Sequence, residues 1–404
     1  MKTIYMDNNA TTAVAPEVLE IMLPYFRDLY GNASSMHTFG GQLSHDVDAA
    51  RQQAAELLGC DPGELIFTSG GTESDNTALR GVLALEPDRR HIITTRVEHP
   101  AVLAAAQQLQ REGCRLTELG VDEQGRINLD ELREVITDDT ALVSIMWANN
   151  ETGVIFPIEQ IAEIVKSRGA VLHTDAVQAV GKLATDLSRL PVDLLSVSGH
   201  KLHGPKGVGL LYVRKGTRLQ PFQVGGHQEY NRRAGTENVP GIVGLGKACE
   251  LARQKLHEEN TRVRNLRDRI EKGLLAAIPH SRVNGDRYHR LPNTTNLSFD
   301  FVEGESILLH LNELGICASS GSACTSGALE PSHVLRAMGV PFTAVHGSVR
   351  FSLSVYNTQE EVDFVIKHLP GVIALLRKMS PYEPGRDYTD QAPRDRKPPL
   401  LQPH

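Results

Sequence analysis

The sequence contains little cysteine and no paired cysteine motif. Its five cysteines are spread along 404 residues, and none of them forms a Cys-x-x-Cys pair: Cys60, Cys114, Cys249, Cys317 and Cys324. An odd and scattered set of this kind argues against a disulfide framework and against a zinc knuckle. Each cysteine must therefore be interpreted from its own surroundings.

The chain also lacks long apolar runs and an excess of basic residues. No segment approaches the length of a membrane span, and the first residues contain no apolar run typical of a signal peptide. The formal net charge is -7, which gives no indication of a non-specific nucleic-acid surface. We therefore expect a cytoplasmic protein with neither a membrane nor a nucleic-acid partner.

Two further absences concern nucleotide binding and repeats. The chain has no dinucleotide Gly-x-Gly-x-x-Gly motif, no Walker loop and no internal repeat. Its length exceeds that of one ordinary hydrophobic core, so we expect two domains, one larger than the other.

Strand and helix patterns alternate through the first half of the chain. The apolar patterns predict strands at 65–68, 91–95, 115–119, 141–146, 170–173, 194–197 and 207–213, with helices between most of them. This alternation predicts an α/β fold with a mainly parallel sheet that is covered on both faces. In open sheets of this type, ligands bind beyond the carboxyl ends of the strands.

The residues that follow these strands are the chemically active types. A glycine turn that opens a helix, an imidazole, amides and a carboxylate come after successive strands: Gly71 and Thr72, His99, Asn150, Asp175 and Gln178, then Ser198, His200 and Lys201. Free N–H groups at the start of a helix suit a phosphate, although an ordinary strand-to-helix turn has the same layout. We expect these side chains to share one edge of the sheet.

Lys201 stands between two histidines in a stretch rich in glycine and proline. A lysine in such a setting can be partly desolvated, which lowers its pKa and favours Schiff-base chemistry. The alternative for this stretch alone is a surface lysine in a polar loop. His200 and His203 without a third nearby ligand are a weak metal motif.

Pyridoxal phosphate requires the groups found at this edge, namely a Schiff-base lysine, a carboxylate at the pyridinium nitrogen, phosphate-binding groups and an imidazole or aromatic face. We predict Lys201 as the lysine, Asp175 as the carboxylate, His99 as the stacking group, Gln178 as a donor to the ring hydroxyl, and Gly71, Thr72, Ser198 and His200 around the phosphate. Taken singly, Asp175 is also compatible with a helix cap and His99 with a plain loop.

Two later features carry further chemistry. Cys324 lies in a run of serine, glycine, alanine and threonine that offers no core to bury it, so we predict an accessible and reactive thiol. Cys317 follows an apolar pattern and fits a small buried hydrophobe. Arg350 lies between Val349 and Phe351 in a strand pattern, so its side chain points to the opposite face of the strand from theirs. There it can bind a carboxylate bidentately, or it can be an exposed arginine on an edge strand.

With these residues assembled, the chain resembles the class V pyridoxal-phosphate cysteine desulfurases, in particular the nitrogen-fixation (NifS) group. The resemblance extends from about residue 4 to residue 382. Its motifs are Tyr5-Met6-Asp7-Asn8-Asn9-Ala10-Thr11-Thr12, Gly71-Thr72-Glu73-Ser74, Val97-Glu98-His99-Pro100, Trp147-Ala148-Asn149-Asn150-Glu151-Thr152-Gly153, His173-Thr174-Asp175-Ala176-Val177-Gln178, Ser198-Gly199-His200-Lys201, Arg233-Ala234-Gly235-Thr236-Glu237-Asn238 and Ser319-Ser320-Gly321-Ser322-Ala323-Cys324-Thr325.

The resemblance implies a fold-type I transferase, in which a large domain with a mainly parallel seven-stranded sheet is joined to a smaller α+β C-terminal domain. We expect an N-terminal segment at 1–15 that packs with the small domain, the cofactor domain at 16–255 and the small domain with the Cys324 loop at 256–379. The proline-rich and charged residues 380–404 are expected to form a disordered tail.

The resemblance also implies the reaction. The enzyme would take sulfur from L-cysteine, release L-alanine and leave a persulfide on Cys324 that supplies iron–sulfur cluster assembly, with nitrogenase-type maturation expected. Arg350 and Asn150 would hold the substrate, Lys201 would move the α-proton, His99 would exchange a proton with the substrate thiol, and the Cys324 thiolate would attack the substrate sulfur.

Further cofactor contacts and partners are implied in the same way. Asn150 and Gly199 would join the pyridoxal phosphate site, and Thr236 would reach the cofactor phosphate of the partner in a homodimer. An iron–sulfur scaffold protein would accept the sulfur, and Cys324 would be a transient iron–sulfur ligand through its persulfide.

Two other functions remain open on the sequence. Another class V enzyme, such as a selenocysteine lyase or an aminotransferase, would share Lys201 and Asp175 but would not need Cys324. A non-enzymatic thiol or iron–sulfur carrier would use Cys324 as a ligand and would not need pyridoxal phosphate.

Overall fold

The computed structural model describes residues 3–320 and 331–381 of the chain. Cys324 and the tail from residue 382 lie outside these ranges, so the predictions for them stay predictions. In chain order the strands are β1 (Ile4–Tyr5), β2 (Leu65–Thr68), β3 (His91–Thr95), β4 (Arg115–Leu119), β5 (Thr140–Ser144), β6 (Val171–Asp175), β7 (Leu194–Ser198), β8 (Gly209–Val213), β9 (Ser281–Val283), β10 (Thr294–Phe299), β11 (Ile316–Cys317) and β12 (Ser348–Ser352).

The helices connect these strands and cover the sheets. They are α1 (Pro16–Met22), α2 (Pro24–Arg27), α3 (Thr38–Gly41), α4 (Leu43–Leu58), α5 (Gly71–Leu83), α6 (Pro100–Arg111), α7 (Leu129–Val135), α8 (Ile158–Ser167), α9 (Val239–Glu258), α10 (Arg264–Ala277), α11 (Gly304–Glu313), α12 (His333–Ala337), α13 (Phe342–His346) and α14 (Gln359–Met379). None of the helices in the described ranges is long and apolar enough to cross a membrane.

The large sheet confirms the predicted mainly parallel architecture. Its seven strands run in the order β2-β8-β7-β6-β5-β3-β4, and β8 is antiparallel to both of its neighbours. The remaining pairs are parallel. Strands β5, β7 and β8 are buried along their whole length, as expected for strands that helices cover on both faces.

Alternate residues of these strands enter two different hydrophobic clusters. Leu210 and Tyr212 of β8 pack into one cluster, whereas Leu211 and Val213 pack into the other. Because successive side chains in a strand point to opposite faces, these two clusters are the two covered faces of one sheet.

A third cluster surrounds the small antiparallel sheet β12-β10-β9. Helices α10 and α14 supply much of it, and Ile4 and Met6 from the N-terminal segment are buried in the same cluster. Strand β1 pairs in parallel with β11, which ties the start of the chain to residues 316–317. The predicted domain boundaries stay predictions.

Two predicted helices differ from the structure. The apolar spacing of residues 18, 21 and 22 predicts one helix over about 16–25, but α1 ends at Met22 because Pro24 lacks an N–H and starts the short α2. The long charged stretch at about 243–275 predicts a single connecting helix, whereas the structure has α9 and α10 joined through a π-helical turn at Glu259–Val263. The π-helical turn keeps the chain helical from α9 into α10, so the sequence predicts one continuous helix there.

Candidate active site

The polar strand ends do line a single cavity. Its volume is about 250 Å³, and it lies where β6 and β7 end and α5 begins. The residues that line it are Asn9, Ala10, Gly71, Thr72, Asp75, His99, Met146, Ala148, Asn150, Asp175, Val177, Gln178, Ser198, His200, Lys201 and Arg350. Apart from Gly199, Thr236 and Cys324, every predicted site residue is in this set.

Lys201 ends a short 3-10 turn that directly follows β7. Its Nζ donates hydrogen bonds to the backbone carbonyls of Asn9 and Ala10, the latter at 2.7 Å. These carbonyls belong to the N-terminal segment, so two residues near the start of the chain hold the amine in position. The geometry places a primary amine at the cavity wall, as Schiff-base chemistry requires.

Asp175 is the last residue of β6 and is buried. Its Oδ1 accepts a hydrogen bond from Val177 N at 2.9 Å, which turns the carboxyl toward the start of the following loop. Burial raises the pKa of Asp175, and the nearby His99 and Lys201 oppose that rise. A carboxyl in this position can hold a proton on a pyridine nitrogen in the cavity.

A second buried carboxyl lies beside Asp175, and the sequence arguments had not identified it. Asp75 of α5 lines the cavity, its Oδ1 has no hydrogen-bond partner within the described residues, and it is 3.6 Å from His173 Nε2. Burial raises the pKa of Asp75 well above its ordinary value, and Asp175 raises it further. Burial also lowers the pKa of His173 to about 3, so this imidazole is neutral.

His99 caps the N-terminus of α6 through its ring. Its Nδ1 accepts a hydrogen bond from Ala101 N at 3.2 Å, and burial lowers the pKa of the imidazole. The ring is therefore neutral with its proton on Nε2. In this tautomer His99 offers a proton to the cavity at Nε2.

The predicted phosphate end is formed by the start of α5 together with Ser198 and His200. The first N–H groups of a helix have no partners within the helix, so they can bind an anion. A Cβ at Gly71 would lie 2.9 Å from Val177 Cγ2, so a larger residue would close this end. Burial lowers the pKa of His200 to about 4, which makes it a neutral group there.

Two predicted cofactor residues are not brought to the cavity. The N–H of Gly199 donates to Val208 O at 3.0 Å, so this group is already engaged. Thr236 is exposed and is not among the described residues that line the cavity. Their roles stay predictions, and for Thr236 the prediction concerns the partner's site.

Gln178 connects the cavity to the N-terminal segment. Its Nε2 donates to Asn9 O at 2.9 Å, and its buried Oε1 has no partner within residues 3–320 and 331–381. The carbonyl acceptor fixes which end of the amide is nitrogen. An unsatisfied buried acceptor in the cavity wall is a group that a bound ring hydroxyl can satisfy.

The opposite wall holds Arg350 of β12, a buried guanidinium. Its Nη1 donates to Asn150 O at 3.0 Å and its Nη2 donates to Asp7 Oδ1 at 2.7 Å. Asn9 Nδ2 also donates to Asn150 O, at 3.0 Å. A cation fixed in this way at a cavity wall can bind the carboxylate of an amino acid.

The described residues on either side of Cys324 are hydrogen-bonded next to this wall. Ser319 and Arg350 exchange two backbone hydrogen bonds, at 2.7 and 3.3 Å. After the segment, Ser332 Oγ donates to the buried Glu151 and His333 Nε2 bonds to Glu98 O at 3.0 Å. The chain that carries Cys324 thus leaves and rejoins the described structure beside Arg350, Asn150 and His99.

The other cysteines differ in their surroundings. Cys114 and Cys249 are buried, whereas Cys60 and Cys317 are partly buried. Burial raises the thiol pKa to about 12 in Cys60 and Cys249, which suppresses the reactive thiolate. Within the described ranges no group of three metal-ligating side chains is found, and the metal prediction for Cys324 lies outside them.

The residues that the sequence arguments missed are mainly backbone groups and buried acids. Asn9 and Ala10 act through carbonyl oxygens, which any residue type provides. Asp7 and Asn9 stood in a recognised motif, but we had assigned no role to either. Only the spatial pairing with Lys201 and Arg350 reveals what they contact.

Comparison with known proteins gives a consistent result. The family model "Aminotransferase class-V" matches residues 4–365. The chain is 58% identical to a cysteine desulfurase of Trichormus azollae over 383 residues, which are 95% of this chain and 96% of that protein. It is 54% identical to the cysteine desulfurase NifS of Azotobacter vinelandii over 386 residues, which are 95% and 96% of the two chains.

Solved structures agree with the sequence relatives. A NifS-like protein superposes with a TM-score of 0.88 at 40% identity, covering 93% of this chain and 100% of the other. A structure described as SspA in complex with cysteine gives a TM-score of 0.78 at 33% identity, covering 88% and 100%.

Proposed function

The chain belongs to the class-V aminotransferase family, and we propose that it is a pyridoxal-phosphate-dependent cysteine desulfurase acting on L-cysteine. The observation that carries the proposal is the placement of Lys201, Asp175 and Arg350 on the walls of one cavity. These three side chains supply an amine, a carboxyl and a carboxylate-binding cation. A thiol carrier needs none of them.

The residues of the cavity fit the cofactor. Lys201 Nζ would hold its aldehyde carbon covalently, Asp175 its ring nitrogen and Gln178 its ring hydroxyl. The start of α5, with Ser198 and His200, would hold its phosphate. When bound, pyridoxal phosphate supplies an electron-accepting ring that stabilises negative charge on the α-carbon of the substrate.

The protein groups then divide the remaining tasks. Arg350 orients the substrate carboxylate, with Asn150 beside it at the cavity wall. The freed Nζ of Lys201 takes the α-proton, and His99 holds a proton at Nε2 that it can give to the substrate. The hydrogen bond from Ala101 N to His99 Nδ1 favours donation at Nε2 over acceptance there.

Sulfur transfer requires a nucleophile, and we assign that role to Cys324. Its thiolate attacks the substrate sulfur, a sulfur–sulfur bond forms, and the carbon–sulfur bond breaks with its electron pair left on carbon. That carbon takes up a proton and Lys201 returns a proton to the α-carbon, which together give alanine. Cys324 is five residues from Ser319, so their Cα atoms are at most about 18 Å apart. Ser319, from which this distance is counted, is hydrogen-bonded through its backbone to Arg350.

We also propose a homodimer and a downstream acceptor. Large apolar side chains are exposed along residues 19–39, which suits a protein interface: Leu19, Phe26, Tyr30, Met36 and Phe39. Thr236 would act at the partner's cofactor site.

An iron–sulfur scaffold protein would take the persulfide sulfur, which would give the protein a role in nitrogenase-type maturation. Cys324 would ligate the cluster only transiently. The cytoplasmic location remains a prediction of the sequence.

The proposal is tested by a spectrum of the purified protein with and without L-cysteine, together with assays for alanine and sulfide. We expect bound pyridoxal phosphate, a spectral change on adding cysteine, and formation of both products under reducing conditions. A colourless protein that binds no pyridoxal phosphate and releases no sulfide would support the non-enzymatic carrier instead.

Replacing Cys324 tests the nucleophile. We expect Cys324→Ala to lower alanine formation from L-cysteine at least about a hundredfold, because the acceptor of the sulfur is gone. Cys317→Ala is the matched control and should stay within about twofold of the parent. A Cys324→Ala protein that still releases alanine from L-cysteine at the parent rate would contradict the transfer of sulfur to Cys324.

A further inference from the structure

Arg350 is a buried cation whose charge is balanced inside the protein. Its side chain is 4% exposed, and Asp7 is the one carboxylate within 4.0 Å of it among the described residues. A buried guanidinium without a partner is strongly destabilising, so the contact with Asp7 has a clear energetic reason. Asp7 itself does not line the cavity and is 19% exposed.

Asp7 is held rigidly in place by its backbone neighbours. Ser352 N donates to Met6 O at 2.8 Å and Asn8 N donates to Ser352 O at 3.1 Å, so residues on both sides of Asp7 are bonded to β12. Ala10 N adds a bond to Asp7 O at 3.0 Å. The carboxylate therefore has a fixed position relative to the strand that carries Arg350.

The two contacts of the guanidinium fix its plane and use only part of its capacity. Asn150 O binds Nη1 and Asp7 Oδ1 binds Nη2, which accounts for two of the five N–H groups of an arginine. A flexible arginine must lose rotamer freedom to bind a carboxylate bidentately, whereas one that is already fixed does not. Supporting contacts of this kind commonly determine how well a binding group works.

From this arrangement we infer that Asp7 is a positioning residue for substrate recognition, which orients Arg350 so that its remaining N–H groups receive the α-carboxylate of the amino acid substrate. This inference rests on the proposed function of Arg350. It assigns a task to the N-terminal segment beyond its carbonyl contacts with Lys201. It also predicts that removing Asp7 weakens carboxylate binding even though a competing negative charge is lost.

The test measures binding rather than turnover. The holoenzyme is titrated with L-alanine and with L-alaninamide, which lacks the carboxylate, and the dissociation constants are read from the change in cofactor absorbance. For Asp7→Asn we expect alanine binding to weaken about tenfold, the cost of a lost charge-assisted hydrogen bond, and alaninamide binding to stay within about twofold. Steady-state assays should show a raised KM for L-cysteine with little change in kcat.

Controls separate positioning from folding. Asp130→Asn, which breaks an exposed ion pair with Arg133, should leave both dissociation constants unchanged. The affinity of Asp7→Asn for pyridoxal phosphate should equal that of the parent, and Asp7→Glu should restore part of the alanine affinity. If Asp7→Asn fails to fold, Asp7→Glu alone must still weaken alanine more than alaninamide.

Two outcomes would overturn the inference. Tighter or unchanged alanine binding in Asp7→Asn would show that Asp7 only competes with the substrate or only neutralises Arg350. Equal weakening of alanine and alaninamide would show a general structural role. Because alanine binding needs no sulfur chemistry, these results are distinct from a failure of the parent protein to release sulfide.

Discussion

The two walls of the cavity are built in different ways. The cofactor wall, formed by His99, Asp175, Ser198, His200 and Lys201, comes from residues at or shortly after the ends of β3, β6 and β7 in one sheet. The substrate wall, formed by Asn9, Asn150 and Arg350, with Asp7 bound to the Arg350 guanidinium, joins segments that are far apart in the chain. Asp7 and Arg350 are separated by 343 positions. The first wall follows from the topology of the sheet, whereas the second depends on side-chain hydrogen bonds between distant segments.

This difference has a consequence for how each wall tolerates change. The cofactor wall is supported by strands buried on both faces, so its backbone persists when one polar side chain is altered. The substrate wall is supported by buried polar contacts, for example Asn9 Nδ2 to Thr294 Oγ1 at 2.9 Å and Asn293 Nδ2 to Asn9 Oδ1 at 3.1 Å. Removing one partner of such a contact leaves a buried group unsatisfied.

The largest effect is expected for Lys201→Ala on the cofactor wall. Loss of the amine removes both the covalent attachment of the cofactor and the base for the α-proton, so the rate should fall by about a thousandfold or more. Borohydride treatment followed by mass spectrometry should find no covalently bound cofactor, whereas the exposed control Lys206→Ala should retain it. Covalent attachment in Lys201→Ala would show that another lysine carries the cofactor.

A smaller and more selective effect is expected for Arg350→Lys on the substrate wall. Lysine keeps the charge but loses the planar fork that binds Asp7, Asn150 and a carboxylate together. The KM for L-cysteine should rise by about 10- to 100-fold, the cost of losing hydrogen bonds to charged groups. The cofactor spectrum without substrate should match that of the parent.

The cofactor absorbance spectrum of Arg350→Lys without substrate tests whether the cofactor wall is independent of the substrate wall. An altered spectrum in this variant would mean that the two walls are not independent. Arg336→Lys, on an exposed position of α12, serves as the matched control and should change neither the KM nor the spectrum.

The cofactor wall was predictable from sequence because parallel strands bring their carboxyl ends to one edge. Once the apolar runs had located the strands, Asp175 at the end of β6 and Lys201 just after β7 were expected to lie close together. The sheet, its mainly parallel order and the covered faces followed from the same periodicity. The family resemblance added the roles, and the comparisons confirm the family.

The substrate wall was not predictable in the same way. Nothing in the local pattern around Asp7 indicates that it meets Arg350, because the contact depends on β1 pairing with β11 and on the bridge between Asp7 and Ser352. The backbone carbonyls of Asn9 and Ala10 that hold Lys201 cannot be recognised from sequence, because every residue type has such a carbonyl. The π-helical turn at Glu259–Val263 was also missed, because it continues the helical chain path and no particular residue type marks it.

The smallest effect on turnover is expected beneath the cofactor wall, at Glu98. Its Oε1 accepts from Thr95 Oγ1 at 2.8 Å and from Met146 N at 2.9 Å, while Oε2 has no partner in the described part of the chain. Burial raises the pKa of Glu98 to about 8. The folded protein therefore keeps this carboxyl protonated at pH values where the unfolded chain has released the proton.

The sign of the pH dependence follows from this shift. Because the folded pKa lies above the unfolded value of 4.5, the stability linked to Glu98 is complete below pH 4.5 and is lost as the pH rises toward 8. Glu98→Gln keeps the acceptor for Met146 N and Thr95 Oγ1 without a group that ionises. We expect the free energy of unfolding of Glu98→Gln, relative to that of the parent, to increase by up to about 1.4 kcal/mol per pH unit between pH 5 and 8.

Denaturant unfolding of both proteins at fixed protein and cofactor concentrations measures this gain. Glu123→Gln, which replaces an exposed carboxyl, should differ from the parent in free energy of unfolding by the same amount at every pH between 5 and 8. Activity of Glu98→Gln at neutral pH should stay within about twofold, because the side chain supports the wall behind His99 without lining the cavity. A difference that does not widen with pH would mean that Glu98 is ionised in the folded protein, and the cofactor wall would then rest on a buried charge rather than on a neutral acid.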